Sequence, residues 1–281
     1  QRKSPPHMLL TTPGQLALLL SYRDAARYFR HLRFVVIDEL HALVPNKRGD
    51  LLALGLARLA ALAPSARQIG LSATVAAPEQ MANFLDCAGP VSVIDGGPGP
   101  QPDISVMAVA NRLPWSGHMT LHAMADVYEA IKCQQTTLVF VNTRAQAELV
   151  FNHLWRLNDD GLSIALHHGS LAAEQRRKVE AAMVRGMLRA VVCTSTLDLG
   201  VDWGAVDLVI QVGAPKGLSR LVQRIGRANH RLDDPSRAVL IPSNRFEVLE
   251  CQAAAAAVVE GELDGEVRRQ GGLDVLAQHI L

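Results

Sequence analysis

Short apolar runs of strand length alternate with longer stretches of helical periodicity along this chain, and that alternation restricts it to an α/β architecture built on parallel sheets. The strand-like runs are Met8–Leu10, Phe34–Ile37, Gln68–Leu71, Ile104–Val109, Leu138–Val141, Ser163–Leu166, Ala190–Cys193, Leu208–Gln211 and Ala238–Ile241. Between them, helices are expected at Gly14–Ser21, Leu51–Leu62, Glu79–Leu85, Leu121–Lys132, Ala145–Leu157, Ala172–Val184 and Leu218–Arg227. Parallel neighbours cannot be joined by a tight hairpin, so each such helix serves as a crossover.

At 281 residues there is room for about two domains of ordinary size. A hydrophobic content of 49% gives each a core and argues against disorder. The stretch Asp95-Gly96-Gly97-Pro98-Gly99-Pro100-Gln101-Pro102 has little to bury and reads as a linker. The expected organisation is therefore residues 1–95 in a first domain, 96–103 as linker, 104–245 in a second domain and 246–281 as the start of a further module. The last block opens with an alanine-rich helix, Phe246–Val259, and Leu273–Leu281 reads as a helix stopped midway. The first block is short for an α/β domain with a central sheet, so part of that domain is expected to precede Gln1.

A net charge of +1 neither demands nor excludes a nucleic-acid partner, because gripping a phosphate backbone needs basic groups along one groove only. Cys87, Cys133, Cys193 and Cys251 form no CxxC pair and are expected to be buried thiols of a reducing cytoplasm. No apolar run reaches the roughly 18 residues of a membrane span.

Three clusters carry chemistry. Val35-Val36-Ile37-Asp38-Glu39-Leu40-His41 is an apolar strand ending in two carboxylates, which puts them at the C-terminal edge of a parallel sheet, where α/β sheets bind ligands. Nucleotide hydrolysis needs one carboxylate to hold hydrated magnesium and another to orient or deprotonate the attacking water. A solvated turn explains the pair equally well when it is taken alone. Leu71-Ser72-Ala73-Thr74 follows another strand, and by itself it reads as a loop or a helix cap. In Gln223-Arg224-Ile225-Gly226-Arg227-Ala228-Asn229-His230-Arg231, three arginines surround a glycine; such a group can neutralise a transferring phosphoryl group, or form an ordinary basic helix face.

Taken together and in order, TTPGQL, DELH, SAT, VFVNTR, HHGS, TSTLDLGVDWG and QRIGRANHR resemble motifs Ib through VI of the DExH-box superfamily 2 helicases. The details resemble the large helicase-related (Lhr) family, and Gly213-Ala214-Pro215-Lys216-Gly217-Leu218-Ser219-Arg220 is similar to its ligase-associated bacterial branch. The resemblance implies two RecA-like parallel-sheet domains, the first truncated at its N-terminus, followed by the start of a helical or winged-helix module. It also implies an ATP- and Mg2+-dependent motor that tracks 3′ to 5′ on single-stranded DNA, with DNA repair as the pathway the family branch suggests. Asp38 is then expected to hold Mg2+ through water, and Glu39 to activate the attacking water. Arg227 resembles the arginine finger, and Gly200, Asp202, Gln223, Arg224 and Arg231 resemble residues of the nucleotide cleft. Ser72 and Thr74 are expected to couple hydrolysis to movement. Thr12, Pro13, Gly14, Arg144, His168, Gly169, Thr194 and Ser195 are expected along the strand's path. Hydroxyls, backbone amides and helix N-termini hold phosphate without reading sequence, which suits a motor that must grip every step equally.

Two departures stand out. His230 occupies a place where some relatives have arginine, which leaves open how Arg227 and Arg231 share the phosphate charge. No GxxxxGK[ST] loop occurs in the chain; it is expected upstream of Gln1, and these 281 residues alone are expected not to hydrolyse ATP usefully. His41, His167 and His168 lack the further ligands of a metal site. Trp203 suits packing between domains better than base stacking, and Trp115 sits in a Pro-flanked loop as a lid or wedge by position alone. Two other readings stay open: an RNA or RNA–DNA hybrid helicase of the same fold, and a non-catalytic nucleic-acid-binding scaffold. The partners expected are single-stranded or tailed duplex DNA, with no membrane.

Overall fold

The computed structural model describes residues 5–72, 77–85, 89, 91–97, 99–108, 113–117, 120–198, 204–228, 235–264 and 271–280. The chain divides into two compact units, one of residues 1–96 with 265–281 and one of residues 97–264.

The first unit contains α1 (Pro13–Ser21), α2 (Ala25–Phe29), β1 (Phe34–Ile37), α3 (Leu40–Leu43), α4 (Lys47–Leu62), β2 (Arg67–Gly70) and α5 (Pro78–Leu85). β1 and β2 pair in parallel, with Val36 opposite Ile69. Leu16, Leu20, Phe29, Ile37, Leu40, Leu52, Leu56 and Leu59 form the core. On the opposite sheet face Phe34, Val36, Ile69 and Leu71 are exposed, so these strands carry apolar side chains on both faces. That is the pattern of strands suited to cover on both sides. α4 starts because Asn46 accepts from the amides of Arg48 and Gly49, two donors that have no partner within the helix.

Met8–Leu10 does not form the expected strand: its residues pair with nothing regular, and Met8 and Leu10 are exposed. Three apolar residues without a neighbouring strand have no ladder to join. α2 and α3, only five and four residues long, are too short for any period to announce them.

The second unit is a six-stranded parallel sheet covered on both faces. In chain order it contains β3 (Asp103–Val106), α6 (Met124–Lys132), β4 (Thr137–Val141), α7 (Arg144–Arg156), β5 (Ile164–His167), α8 (Ala173–Val184), β6 (Ala190–Cys193), β7 (Leu208–Val212), α9 (Leu218–Ile225), β8 (Arg237–Ile241) and α10 (Arg245–Val259). The strand order is β3-β8-β7-β4-β6-β5. Every residue of β4, β6 and β7 is buried, as mainly apolar runs in a twice-covered sheet require. One face packs on α6 and α7 through Val127, Ile131, Val150 and Leu154. The other packs on α8, α9 and α10 through Met183, Leu221, Ile225, Cys251 and Ala254. α10, expected to open a further module, packs on α9 and β3 of this unit. α11 (Leu273–Ile280) packs on α4 of the first.

Burial pushes the Cys193 thiol well up and that of Cys251 up to about 12, so both are inert at neutral pH. Cys133, expected buried, is exposed, and Cys87 lies outside the described residues. No helix among the described residues is long and apolar enough to cross a membrane.

Candidate nucleotide and nucleic-acid site

In the first unit the chemistry gathers where β1 ends. Asp38 is exposed, and its Oδ1 accepts from the Glu39 amide at 3.0 Å. Glu39 itself has a left-handed backbone, φ 50 and ψ 47, which costs a residue with a side chain about 1–2 kcal/mol. The turn is forced by its flanks. Leu71 donates to the Ile37 carbonyl at 2.8 Å and Leu40 donates to the Leu71 carbonyl at 3.0 Å, so the chain must leave the sheet within two residues and enter α3. His41, on that short helix, has Nδ1 2.8 Å from Ser72 Oγ and Nε2 3.4 Å from Glu39 Oε2. With its proton on Nε2, the imidazole faces the carboxylate and accepts from the hydroxyl. Glu39, His41 and Ser72 thus form one chain of polar contacts joining the DELH and SAT segments. Sequence reading singles out Glu39 and Ser72 but gives His41 no role; its place immediately after the acidic pair is the available signal.

Thr12 caps α1, accepting from the Gln15 amide at 3.4 Å, with Pro13 at the first helical position. A side chain added at Gly14 would meet open space, so nothing in the packing demands glycine there. Thr74 lies outside the described residues.

In the second unit the candidate residues line the C-terminal edge of the sheet. Arg144 opens α7 directly after β4 and donates to the Ser170 hydroxyl; Thr143 caps the same helix, accepting from the Gln146 amide at 3.2 Å. His168 and Gly169 follow β5, and Thr194 and Ser195 follow β6. His168 is buried and accepts from the Ser170 amide at 3.3 Å, which shapes the loop while leaving Gly169 exposed. Thr194 is buried and Ser195 exposed. Because β4, β6 and β5 are neighbours, these three loops are adjacent, and exposed hydroxyls and amides share one rim with the N-terminus of a 13-residue helix. His167 stands beneath, with Nδ1 2.8 Å from Thr196 Oγ1 and Nε2 3.1 Å from Glu180 Oε1. Burial lowers its pKa, against an opposing pull from Glu180.

Further along the same edge, α9 carries the arginines. Arg224, expected to line a nucleotide cleft, is only 3% exposed and points into the unit. Its Nε and Nη2 donate to the two oxygens of Asp198 at 2.8 and 3.3 Å, and its Nη1 donates to Gln211 Oε1 at 2.6 Å. Its guanidinium carbon lies 4.7 Å from the centre of the Phe140 ring. Helical spacing brings Arg220 to the same acid, with its Nε 3.6 Å from Asp198 Oδ2. Arg227, two residues past the helix, donates from Nη2 to the Asp198 main-chain carbonyl at 2.9 Å. Asp198, which sequence reading gives no role, therefore gathers all three arginines. No spacing rule links it to α9; only the fold does. A buried polar network continues the support, as Asn142 donates to the Ala214 carbonyl at 2.8 Å and Glu247 accepts from the amides of Ala214 and Ser243. Gln223 is half-buried; Gly200, Asp202, Trp203, His230 and Arg231 lie outside the described residues.

An open pocket of about 400 Å³, lined by Gln135, Ser163, Met187 and Arg189 among others, lies at the opposite, N-terminal ends of β4, β5 and β6 and holds none of these groups. Among the described residues no cluster of histidine, cysteine and carboxylate groups could hold a metal ion by direct ligation. Asp38 fits the looser requirement of hydrated Mg2+, being an exposed carboxylate with one oxygen held by a backbone amide.

Residues 1–82 match the family of DEAD/DEAH box helicases, and residues 121–231 match the helicase conserved C-terminal domain. The chain is 38% identical, over 99% of its length, to the ATP-dependent helicase Lhr-Core protein 2 of Thermococcus barophilus, of which it spans 33%. It belongs to the large helicase-related family of DEAD/DEAH-box helicases. Within this family it is 34% identical over 99% of its length to the Lhr helicase and probable uracil glycosylase of Mycolicibacterium smegmatis, of which it spans 21%. The solved structure of Mycobacterium smegmatis Lhr bound to single-stranded DNA and AMP-PNP is similar at a TM-score of 0.85 and 35% identity, over 99% of this chain and 37% of that one. The RecA-like parallel-sheet architecture expected from the motifs is the one observed. The chain thus spans about a third or less of the curated relatives it matches.

Proposed function

We propose that this chain is the greater part of an ATP-driven motor that moves 3′ to 5′ along single-stranded DNA. One observation carries the reading: Glu39, left-handed at the end of β1, is joined through His41 to Ser72, so a strained carboxylate sits in contact with the segment expected to relay its state. Bound Mg2+ supplies charge neutralisation on the phosphates. Asp38 would hold its hydration shell, Glu39 would orient and deprotonate the attacking water, and His41 would keep Glu39 aimed and report to Ser72. Arg227 would meet the charge that develops on the transferring group, with Gln223 nearby. Gly200, Asp202, Arg231 and Thr74 keep the roles their motifs imply. Thr12, Pro13 and Gly14 in one unit, and Arg144, Gly169 and Ser195 in the other, would hold the strand's phosphates, while the buried side chains of His168 and Thr194 would shape the loops that present them. Arg224 takes a different part: its guanidinium fixes α9 to Asp198 and so orients Arg227.

The similarity to an Lhr whose structure holds single-stranded DNA and AMP-PNP supports DNA as the track. A place in DNA repair, and membership of the ligase-associated branch, rest on the motif resemblance. The assignment is tested by Arg227→Ala in the full-length protein. DNA-stimulated ATP turnover is expected to fall by about 10³- to 10⁵-fold, the usual worth of an arginine finger, with strand affinity nearly unchanged. Wild-type turnover in that variant refutes the role. Unwinding of matched DNA, RNA and hybrid duplexes decides the track.

A further inference from the structure

α9 is eight residues long and begins without a cap of its own. Its N-cap is Gly217, which has no side chain, and no acidic residue lies in its first turn. The missing acceptor comes from far along the chain: Asp264 Oδ2 accepts from the Ser219 amide at 3.0 Å. Gly217 makes this possible in two ways. Its φ of +110 is one that side chains disfavour, and a Cβ there would stand 2.7 Å from Asp264 Oδ2. The sequence thus leaves a gap at the start of α9, and the Asp264 carboxylate fills it, meeting an unpaired amide and the positive end of the helix dipole.

Asp264 arrives there by a defined route. α10 packs against α9 and ends at Val259, with Glu260 as its C-cap; Gly261, with φ +76, turns the chain, and the Glu262 amide closes the turn on the Ala257 carbonyl at 2.8 Å. Asp264 is the last residue of the second unit, and the chain beyond it belongs to the first. The other end of α9 is fixed by Arg224 on Asp198 and carries Arg227. A rod about 12 Å long, at 1.5 Å per residue, therefore has the outgoing chain hooked to its start and the candidate finger at its end.

We propose that Asp264 is a positioning residue, a latch through which the segment leaving the second unit sets the place of Arg227. The latch rests on the reading of Arg227 given above. It adds that the register of α9 depends on a carboxylate 45 residues downstream of the amide it caps.

The test is made in the full-length protein. Asp264→Ala is expected to lower kcat for DNA-stimulated ATP hydrolysis by about 2- to 30-fold, the range set by the worth of a helix cap, while KM for ATP and the Kd for single-stranded DNA stay within about twofold. Asp264→Asn, whose amide oxygen can still accept from Ser219, is expected to recover most of the lost kcat. Gly217→Ala, which displaces the carboxylate without removing it, is expected to repeat the alanine effect. Wild-type kcat in Asp264→Ala overturns the latch, as does a loss shared equally by kcat, strand affinity and melting temperature that Asn does not rescue. Arg227→Ala measured alongside separates the two ideas. If it turns over like wild type, the site reading itself fails; if it is dead while Asp264→Ala is unaffected, only the latch fails.

Discussion

Replacing Asp198 by alanine removes the only carboxylate that the Arg224 guanidinium touches among the described residues. What remains around that charge is Gln211 at 2.6 Å and the face of Phe140 at 4.7 Å, both fully buried. A water in the space the carboxylate vacates can accept from the guanidinium but carries no charge to neutralise it. Breaking one half of a buried ion pair leaves an uncompensated charge and costs about 3–5 kcal/mol. Arg220, half exposed at 3.6 Å from the same acid, contributes about 1 kcal/mol or less, so Arg220→Ala serves as the matched control.

At about 2–4 °C per kcal/mol for a unit of this size, Asp198→Ala is expected to lower the melting transition of the second unit by about 6–20 °C. Calorimetry on the full-length protein measures it. The double variant Asp198→Leu with Arg224→Met restores an apolar interior and is expected to recover most of the loss, because a buried pair is often no better than a well-packed hydrophobic substitute. Asp198→Ala melting within about 2 °C of wild type, equivalent to roughly 1 kcal/mol or less, refutes the interior placement of Arg224.

Other outcomes are expected from the same geometry. Burial holds the His167 imidazole below its ordinary value of 6.5, so the unfolded chain binds its proton first as pH falls; this contribution to stability is full above about 6.5 and lost as the pH drops from there through the lowered folded pKa. Urea unfolding at about pH 7.5 and about pH 5.5 is expected to show a smaller drop in His167→Phe than in wild type, and an unchanged drop refutes the assignment. Glu39→Gly is expected to leave stability unchanged or raise it by up to about 1 kcal/mol, since relief of the left-handed strain outweighs or matches glycine's extra chain entropy. ATP turnover of the full-length protein carrying that substitution is expected to fall to background, so lowered stability, or retained turnover, counts against the reading.

The sequence makes the central strands plain and the site's supports nearly invisible. β4, β6 and β7 are apolar apart from Thr137 and Gln211 and are bounded by turn residues, and a twice-covered sheet has a use for such runs. Met8–Leu10 looks the same locally and fails, because strand formation is a property of pairs. Asp38, Glu39, Ser72, Arg144, His168, Gly169, Thr194 and Ser195 follow the C-terminal ends of β1, β2, β4, β5 and β6, whereas Thr12, Pro13 and Gly14 follow no strand. Arg224 does not face where its motif position suggests, since hydrophobic periodicity fixes the Leu221 and Ile225 side of α9 but says nothing of an acid 26 residues upstream. Asp198 and Asp264 are single carboxylates in loops. Their roles come from which backbone amide or guanidinium the fold brings to them, and that information is not local.

Among the described residues, two α-helices start from a residue of positive φ, and the two starts are solved in opposite ways. Before α9 the residue is Gly217, and the space a side chain would fill is given to Asp264. Before α3 the residue is Glu39, held left-handed between two backbone hydrogen bonds that tie β1 to β2. Glycine would meet the backbone demand there at less cost, and Asn would meet it at little more. Nothing in the packing requires a long acid: the side chain is about 30% exposed, and its contact with His41 is at 3.4 Å. Local stability therefore does not explain the residue. The property that glycine and asparagine both lack is a carboxylate on a reach longer than one methylene, carried at the mouth of a parallel sheet beside a second carboxylate. Strain kept for that property is what a water-activating base at position 39 predicts, and a solvated turn gives no reason to keep it.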